Sequence, residues 1–343
     1  MRASRIPTPR AIAIVVAILA IVAGGGYGVA SWYVFDTYYA AQAIDQPWCT
    51  TDASFAGSTP GAFETGTADT GPYVDTTPYL MPEYADVSFP SQDPRVTIAG
   101  WWVPGASASS PAVILVHGRG RCRWDPEVLL PAGMLYRHGF SVLLIDLRNH
   151  GDSTSMPDPH TWAGVTEYQD VLGAWNWVRT DRGIPADRIG LYGVSLGAGT
   201  SLIAMGEEPR VAATWEDSSF ASMEVGINDA LADRGLPGFL GVGAIAVGRI
   251  VHGIDLSSLT SLGAMAKLDG RPIAIVHGTA DATVPLKHAD LLLTALRAAG
   301  GTTDPWILPD VGHVRASFVA TAEYDARLTG FFSAALGDPG ASR

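Results

Sequence analysis

The sequence predicts an α/β protein in which helices flank a mostly parallel central sheet. Six short runs rich in β-branched and aliphatic residues predict strands that are buried on both faces. They are AVILVHG (112–118), SVLLID (141–146), IGLYGVS (189–195), VAATWED (211–217), PIAIVHG (272–278) and PWILPD (305–310). Segments with helical periodicity lie between them, over Glu167–Val178, Gly197–Met205, His288–Ala299 and Ser317–Ala335. Because strands and helices alternate, we expect right-handed crossovers between parallel strands.

The amino-acid composition indicates a folded, acidic protein. The chain has 343 residues, of which 47% are hydrophobic and 16% are charged. This length fits one large domain or two small ones, and the apolar content excludes general disorder. Lys and Arg number 22 against 34 Asp and Glu, which gives a net charge of −12. Because phosphate binding needs a basic face, we expect no nucleic-acid partner.

The N-terminus has the features of a membrane anchor. Three arginines within the first ten residues precede residues 11–35, which contain no charged side chain. A helix of that length rises roughly 37 Å and would cross a hydrocarbon core of about 30 Å. The basic flank predicts that residues 1–10 are cytoplasmic and that the rest of the chain lies outside the cytoplasm. A cleaved signal peptide ending near residues 28–30 is the alternative, but the apolar run continues past that point and favours an uncleaved anchor.

Composition divides the rest of the chain into a linker and a folded domain. Residues 36–80 are rich in Thr, Ala, Gly, Asp and Pro without sustained periodicity, which predicts a linker. Residues 81–338 form the predicted domain, which begins with a hairpin over 84–103. Within it, about 221–268, the alternation of strands and helices is interrupted, and residues 235–248 carry no charge. We interpret this stretch as a small helical cap insertion, with ordinary helices at the sheet edge as the alternative.

Two cysteines, Cys49 and Cys122, are the only ones in the chain. Without a Cys-x-x-Cys pair or a Cys/His cluster, a zinc site has no support. If the domain lies outside the cytoplasm, the two thiols could pair. Two unpaired thiols are the alternative, and the sequence leaves both open.

A G-x-S-x-G motif covers Gly193 to Gly197 and stands between a predicted strand and a predicted helix. This context is typical of a nucleophile elbow, whose turn is so tight that only glycines fit beside the nucleophile. Ser195 would stand at a helix N-terminus, where the dipole and the free N–H groups favour negative charge. We therefore predict Ser195 as a nucleophile, and a glycine-rich packing turn with an idle serine is the alternative.

A serine nucleophile needs a base and an acid that orients the base. Asp281 follows the strand PIAIVHG, and His313 follows the strand PWILPD. In a parallel sheet the loops after the strands share one edge, so both side chains can reach Ser195. We predict the set Ser195, Asp281 and His313, with Asp217 as the alternative acid because it also ends a predicted strand.

An oxyanion hole is predicted from the backbone N–H groups of Arg119 and Leu196. Arg119 follows a strand that ends in His-Gly, and Leu196 directly follows the nucleophile. The other histidines are expected to have structural or surface roles, with substrate contact as an alternative for His252 in the cap. They are His117, His150, His277 and His288.

Five motifs in this order resemble those of the α/β-hydrolase superfamily: VHGRGRCRWD, LLIDLRNHGDS, GLYGVSLGAGTS, HGTADATVP and VGHV. The resemblance covers roughly residues 83–335. It is greatest to the Bem46-like and serine-aminopeptidase-like branch, many of whose bacterial members are membrane-anchored. It implies an α/β-hydrolase fold and a Ser-His-Asp mechanism through an acyl-enzyme. It also implies an ester, thioester or amide substrate and no cofactor.

We expect a membrane-anchored serine hydrolase that cleaves hydrophobic carboxylic esters or thioesters. Apolar residues of the predicted cap, such as Leu236 and Phe239, suit an acyl chain. A serine peptidase or aminopeptidase of the same fold is one alternative, with Glu216, Asp217 or Glu224 available to bind a free amine. A non-catalytic, membrane-tethered binding protein is the other, although a complete Ser-His-Asp set argues against it.

Overall fold

A computed structural model describes residues 9–38, 49, 57–66 and 71–340, and they contain one eight-stranded sheet. The strands are β1 (Ala85–Pro90), β2 (Thr97–Val103), β3 (Ala112–Val116), β4 (Ser141–Ile145), β5 (Ile189–Val194), β6 (Ala213–Asp217), β7 (Ile273–Gly278) and β8 (Trp306–Leu308). Their spatial order is β1-β2-β4-β3-β5-β6-β7-β8. The β1–β2 and β2–β4 pairs are antiparallel, and every other pair is parallel. The predicted hairpin and all six predicted strands are therefore confirmed, but β8 lies at the edge of the sheet and is only half-buried at Trp306 and Ile307.

The central strands are buried at every position, as continuous apolar runs require in a sheet covered on both faces. Successive side chains of β3 alternate between two cores. Ile114 belongs to the core on one face, and Val113 and Leu115 belong to the core on the other.

The described helices are α1 (Pro9–Tyr38), α2 (Pro126–Arg137), α3 (Tyr168–Asp181), α4 (Leu196–Glu207), α5 (Met223–Ala232), α6 (Phe239–Val247), α7 (Ser261–Met265), α8 (Lys287–Ala298), α9 (Ala316–Val319) and α10 (Thr321–Leu336). Short 3₁₀ turns cover Thr77–Tyr79 and Ala186–Arg188, and a π turn covers Gly248–His252. The four predicted helical segments are confirmed, but the last is divided in two. The backbone of Ala320 (φ −126°, ψ 40°) leaves the helical region between α9 and α10.

Helix α2 is missing from the sequence prediction, although local capping signals specify its start. The carboxylate of Asp125 accepts a hydrogen bond from the N–H of Glu127. Pro126 occupies the first helical position, where a missing N–H costs nothing. These two residues fix where the helix begins.

The described chain separates into two compact units. The smaller one contains α1 and residues 227–255, and the larger one contains the sheet. Within the smaller unit α1 packs on α6, where the hydroxyl of Tyr27 donates to the carbonyl oxygen of Phe239 (3.0 Å). A side chain at Gly243 would overlap Ser31 Oγ, so the two helices approach closely there. Part of the predicted cap over 221–268 thus belongs to the smaller unit, and its role as a cap stays a prediction.

Helix α1 covers the predicted anchor at residues 11–35. Among the residues that the structure describes, no helix combines the length and the apolar character needed to cross a membrane. The predicted N-terminal transmembrane helix is therefore not supported. Most of the predicted cytoplasmic segment over residues 1–10 lies outside the described residues.

About half of the predicted linker is described, and residues 57–66 and 71–80 of it form part of the sheet-containing unit. Phe63 and Tyr79 are buried in one of its cores. The hydroxyl of Thr65 pairs with both backbone groups of Val74. A disulfide joins Cys49 to Cys122, which decides between the two alternatives for the cysteines. Residues 39–48, 50–56 and 67–70 of the predicted linker lie outside the described residues.

Candidate active site

Ser195 lies in the turn between β5 and α4, as predicted for a nucleophile elbow. Its backbone has φ 52° and ψ −115°, a conformation that residues other than glycine rarely adopt. Glycine is required at both flanking positions because no larger residue would fit there. A Cβ at Gly193 would overlap the carbonyl oxygen of Gly197, and a Cβ at Gly197 would overlap the carbonyl oxygen of Val116. The strained serine is thus held by close backbone packing on both sides.

The structure brings Ser195, His313 and Asp281 together. His313 Nε2 lies 2.9 Å from Ser195 Oγ, and His313 Nδ1 lies 2.7 Å from Asp281 Oδ2. Because a carboxylate accepts, Nδ1 carries the proton, and Nε2 is left to accept the hydroxyl proton of Ser195. The other oxygen of Asp281 accepts from the backbone N–H groups of Thr283 (2.9 Å) and Val284 (2.7 Å). The carboxylate is therefore fixed in the orientation that meets the imidazole.

The parallel strands explain why these residues meet. β5 ends just before Ser195, while the loops after β7 and β8 carry Asp281 and His313. Two backbone hydrogen bonds join these two loops, from Thr279 N to Leu308 O (2.9 Å) and from Ala280 N to Val311 O (3.0 Å). The acid and the base are thus held in register.

The predicted oxyanion-hole residues flank the nucleophile. Leu196 is the first residue of α4, and its N–H follows Ser195 directly. The loop that carries Arg119 lies against Ser195, because a Cβ at Gly118 would be 3.5 Å from Ser195 Cβ. The loop after β3 and the start of α4 therefore both border Ser195, and the oxyanion hole of Arg119 and Leu196 stays a prediction.

Two buried histidines support the loop that carries Arg119. The N–H of Gly120 donates to His150 Nε2 (3.3 Å), and His150 Nδ1 donates to the carbonyl oxygen of Arg148 (2.9 Å). Burial lowers the pKa of His150 to about 4, so this ring is neutral at neutral pH. Burial also holds the pKa of His117 well below its ordinary value.

The alternative acid, Asp217, has other partners. Its Oδ1 accepts from the hydroxyl of Ser218 and its Oδ2 from the hydroxyl of Tyr324, each at 2.9 Å. The imidazole of His313 instead meets Asp281. Burial raises the pKa of Asp217 to about 6. The geometry therefore favours Asp281 as the acid.

Two of the histidines expected to be structural have main-chain partners. His277 Nε2 donates to the carbonyl oxygen of Val284 (2.7 Å), and His288 Nδ1 accepts from the N–H of Ala221 (3.0 Å). Glu216, a candidate for binding an amine, is buried, and its Oε2 accepts from the N–H of Ser219 (3.0 Å). Its Oε1 has no hydrogen-bond partner among the described residues.

Sequence reasoning missed an ion pair that reaches the His313 loop. Arg315 NH1 lies 2.8 Å from Glu127 Oε1, which links this loop to α2. Asp125 at the start of α2 is buried, and the lost solvation, with the charge of Glu127, raises its pKa to about 7. The position of Arg315, two residues after the predicted base, was the available signal.

Comparisons with known families support the fold. Residues 111–244 match the family described as alpha/beta hydrolase fold, and residues 253–339 match the prolyl oligopeptidase family. Among structures, the chain resembles the Pyrococcus furiosus esterase Pf2001 with a TM-score of 0.59 at 23% identity, covering 77% of this chain and 95% of the esterase. At that identity the likeness shows the fold alone.

Two curated relatives share part of the sequence. Protein ABHD12B of Homo sapiens is 30% identical over 208 residues, which are 58% of this chain and 53% of that protein. Thiohydrolase aneE of Aspergillus aculeatus is 31% identical over 138 residues, which are 37% of this chain and 39% of that protein. The chain thus matches about half or less of the length of these relatives.

Proposed function

We propose that this chain, which belongs to the α/β-hydrolase superfamily, is a serine hydrolase that cleaves carboxylic esters and thioesters. The observation that carries the proposal is the continuous set of hydrogen bonds from Ser195 through His313 to Asp281, on an elbow that only glycines permit. Such a set generates the nucleophile that acyl transfer needs. The proposed chemistry uses protein groups alone.

The first half of the reaction acylates the enzyme. His313 Nε2 takes the hydroxyl proton of Ser195 as Oγ attacks the acyl carbonyl. Asp281 keeps the imidazole in the required tautomer and stabilises the imidazolium. The N–H groups of Arg119 and Leu196 donate to the oxyanion of the tetrahedral intermediate. His313 then protonates the leaving alcohol or thiol, which departs as the acyl-enzyme forms.

The second half releases the acid. Water replaces the leaving group, and His313 takes its proton as the water attacks the acyl-enzyme. The same two amides donate hydrogen bonds to the second oxyanion. Collapse of this intermediate returns the proton to Ser195 and frees the carboxylic acid, so the enzyme regains its starting state.

Ester and thioester substrates are favoured over peptides. The curated relative aneE is named a thiohydrolase, and the structural neighbour Pf2001 is named an esterase. A peptidase is the second candidate, because residues 253–339 match the prolyl oligopeptidase family.

A substrate panel tests this proposal. Purified chain is assayed with p-nitrophenyl acyl esters, acyl thioesters and aminoacyl anilides, and Ser195→Ala is the matched control. We expect turnover of the esters and thioesters that is lost in Ser195→Ala. Cleavage confined to anilides would replace the proposal with the peptidase. Absence of all turnover in folded protein would favour a binding role.

Membrane attachment, with the catalytic domain outside the cytoplasm, is the second part of the proposal. Among the described residues, 12 of the 15 exposed large apolar side chains lie in the smaller unit. Trp32 and Tyr33 on α1 are among them, and such rings favour the lipid–water interface. The Cys49–Cys122 disulfide supports an oxidising compartment.

Two measurements on cells test the location. After cells are broken in a low-salt buffer, the chain should sediment with the membranes. Protease added to cells with any outer barrier opened should digest the sheet-containing unit. Recovery of the chain in the supernatant would contradict membrane attachment, and protection from the protease would contradict a location outside the cytoplasm.

A further inference from the structure

A buried hydrogen-bond network lies directly behind the His313 loop. The N–H of Val314 donates to Ser218 Oγ (3.2 Å), and the hydroxyl of Ser218 donates to Asp217 Oδ1 (2.9 Å). The hydroxyl of Tyr324 donates to Asp217 Oδ2 (2.9 Å). Each of these four residues is at most 2% exposed, so water does not compete for these bonds.

Tyr324 is itself fixed by its other partners. Trp215 Nε1 donates to its hydroxyl oxygen (3.0 Å), and the hydroxyl of Tyr192 lies 3.0 Å from the same oxygen. Since the Tyr324 proton is given to Asp217, Tyr192 is the donor in that contact. The phenol therefore accepts two hydrogen bonds and donates one, which leaves it a single orientation toward Asp217.

The network joins three strained points of the backbone. Ser195 (φ 52°), Ser218 (φ 62°) and Val314 (φ 53°) all adopt left-handed φ values, which are costly for a β-branched residue such as Val314. The N–H of Ser195 donates to the carbonyl oxygen of Asp217 (2.9 Å). Asp217 thus holds the nucleophile through its main chain, and it holds Val314 through its side chain and Ser218.

We propose that Asp217, Ser218 and Tyr324 are positioning residues that hold the backbone after His313 and so keep its imidazole aligned with Ser195. This inference rests on the proposed serine hydrolase function. Val314 adjoins His313, so a bond to its N–H fixes the direction in which the chain leaves the base. Without this hydrogen bond from Val314 to Ser218, the left-handed backbone at Val314 is free to relax, which would move His313 Nε2 out of line with Ser195 Oγ.

Asp217 also interacts electrostatically with the base. A positive charge on His313 lowers the pKa of Asp217, against the larger effect of burial, which raises it. Glu127 is the other charged group that acts on Asp217, and Ser218 and Tyr324 are its hydrogen-bond donors.

Variants at Ser218 separate positioning from stability. Ser218→Ala and Ser218→Gly both remove the hydroxyl, but glycine adopts a φ of 62° without strain. The protein is assayed as the full chain with a p-nitrophenyl ester, and kcat is referred to active sites titrated with a fluorophosphonate. We expect kcat to fall about tenfold in both variants while KM stays within about twofold. Because glycine relieves the backbone strain at this position, Ser218→Gly should unfold at a higher temperature than Ser218→Ala.

Tyr324→Phe removes a second hydroxyl of the network and should lower kcat by a similar factor. Its matched control, Tyr136→Phe, removes a hydroxyl outside the network and should leave kcat unchanged. Ser201→Ala deletes a buried hydroxyl that has no hydrogen-bond partner among the described residues, and it should also leave kcat unchanged. Wild-type kcat in Ser218→Ala and Ser218→Gly would overturn the proposal. Activity that survives in Ser195→Ala would instead overturn the serine hydrolase function, so the two failures are distinguishable.

Discussion

His150 Nε2 accepts a hydrogen bond from the backbone N–H of Gly120, 3.3 Å away, beneath the loop that carries Arg119. Only a neutral imidazole has a lone pair for this bond. Burial lowers the pKa of His150 to about 4, so the hydrogen bond to Gly120 persists well below neutral pH. The loop of the predicted oxyanion hole is therefore supported by a neutral histidine.

The pH dependence of unfolding should report this histidine. Below about pH 6.5 the unfolded chain takes up a proton at His150 while the folded chain does not. Stability from this group is therefore complete above about pH 6.5 and is lost as the pH falls toward about 4, by up to about 3 kcal/mol. In urea unfolding at pH 7 and pH 4.5, wild type should lose about 2 kcal/mol more than His150→Asn. An equal loss in both proteins would show that His150 is not neutral in the fold.

Asp217→Asn should raise stability and lower activity. Burial raises the pKa of Asp217 from 3.8 to about 6, so its contribution to stability is present at low pH and is lost as the pH rises from about 4 to about 6. Asparagine does not ionise, so at pH 7.5 its free energy of unfolding should exceed that of wild type by up to about 3 kcal/mol. We expect kcat to fall about tenfold or more, because the NH₂ group of asparagine cannot accept from one of the two hydroxyls that Asp217 binds. A less stable variant of full activity would contradict this account.

Asp281→Asn tests which carboxylate orients the base. The amide oxygen can still accept from Thr283 and Val284, which turns its NH₂ group toward His313 Nδ1. The imidazole must then carry its proton on Nε2, where it cannot accept the proton of Ser195. We expect kcat to fall about 10⁴-fold with an unchanged circular dichroism spectrum. A loss smaller than that of Asp217→Asn would make Asp217 the acid.

Gly197→Ala should destroy the elbow. The added Cβ would overlap the backbone of Val116 and His117 at the end of β3, which cannot move aside as a flexible side chain could. We expect a loss of stability of about 3 kcal/mol or more together with the loss of ester hydrolysis.

Gly330→Ala on α10 is the matched control, since no atom lies within 4 Å of the added Cβ. Alanine in a helix is favoured over glycine by about 0.5–1 kcal/mol, so a slightly higher Tm and full activity are expected. A fully active Gly197→Ala protein would refute the elbow geometry.

The strands and the three central residues could be predicted because their signals are local. Buried strands appear in the sequence as continuous apolar runs. Ser195 can be found because steric overlap excludes any residue but glycine at positions 193 and 197. Asp281 and His313 each follow a strand of a parallel sheet, so topology brings them to Ser195.

The supporting network could not be predicted in the same way. Tyr324 meets Asp217 across 107 positions of sequence, and no local pattern marks a tyrosine in a helix as the partner of a strand-end carboxylate. Residues 316–329 contain neither glycine nor proline, so the composition does not predict the break between α9 and α10 at Ala320. The start of α2 did carry a signal in Asp125 and Pro126, and it belongs with the helix starts that capping rules can find.

Labelling by a fluorophosphonate tests the central claim most directly, because the probe reacts with a serine whose base and oxyanion donors are assembled. Membranes or lysates that contain wild type, Ser195→Ala or Gly330→Ala are treated with the probe and compared at equal protein levels. The account predicts labelling of wild type and Gly330→Ala and none of Ser195→Ala. Labelling that persists in Ser195→Ala, or its absence from folded wild-type protein, would contradict the assignment of Ser195 as the nucleophile.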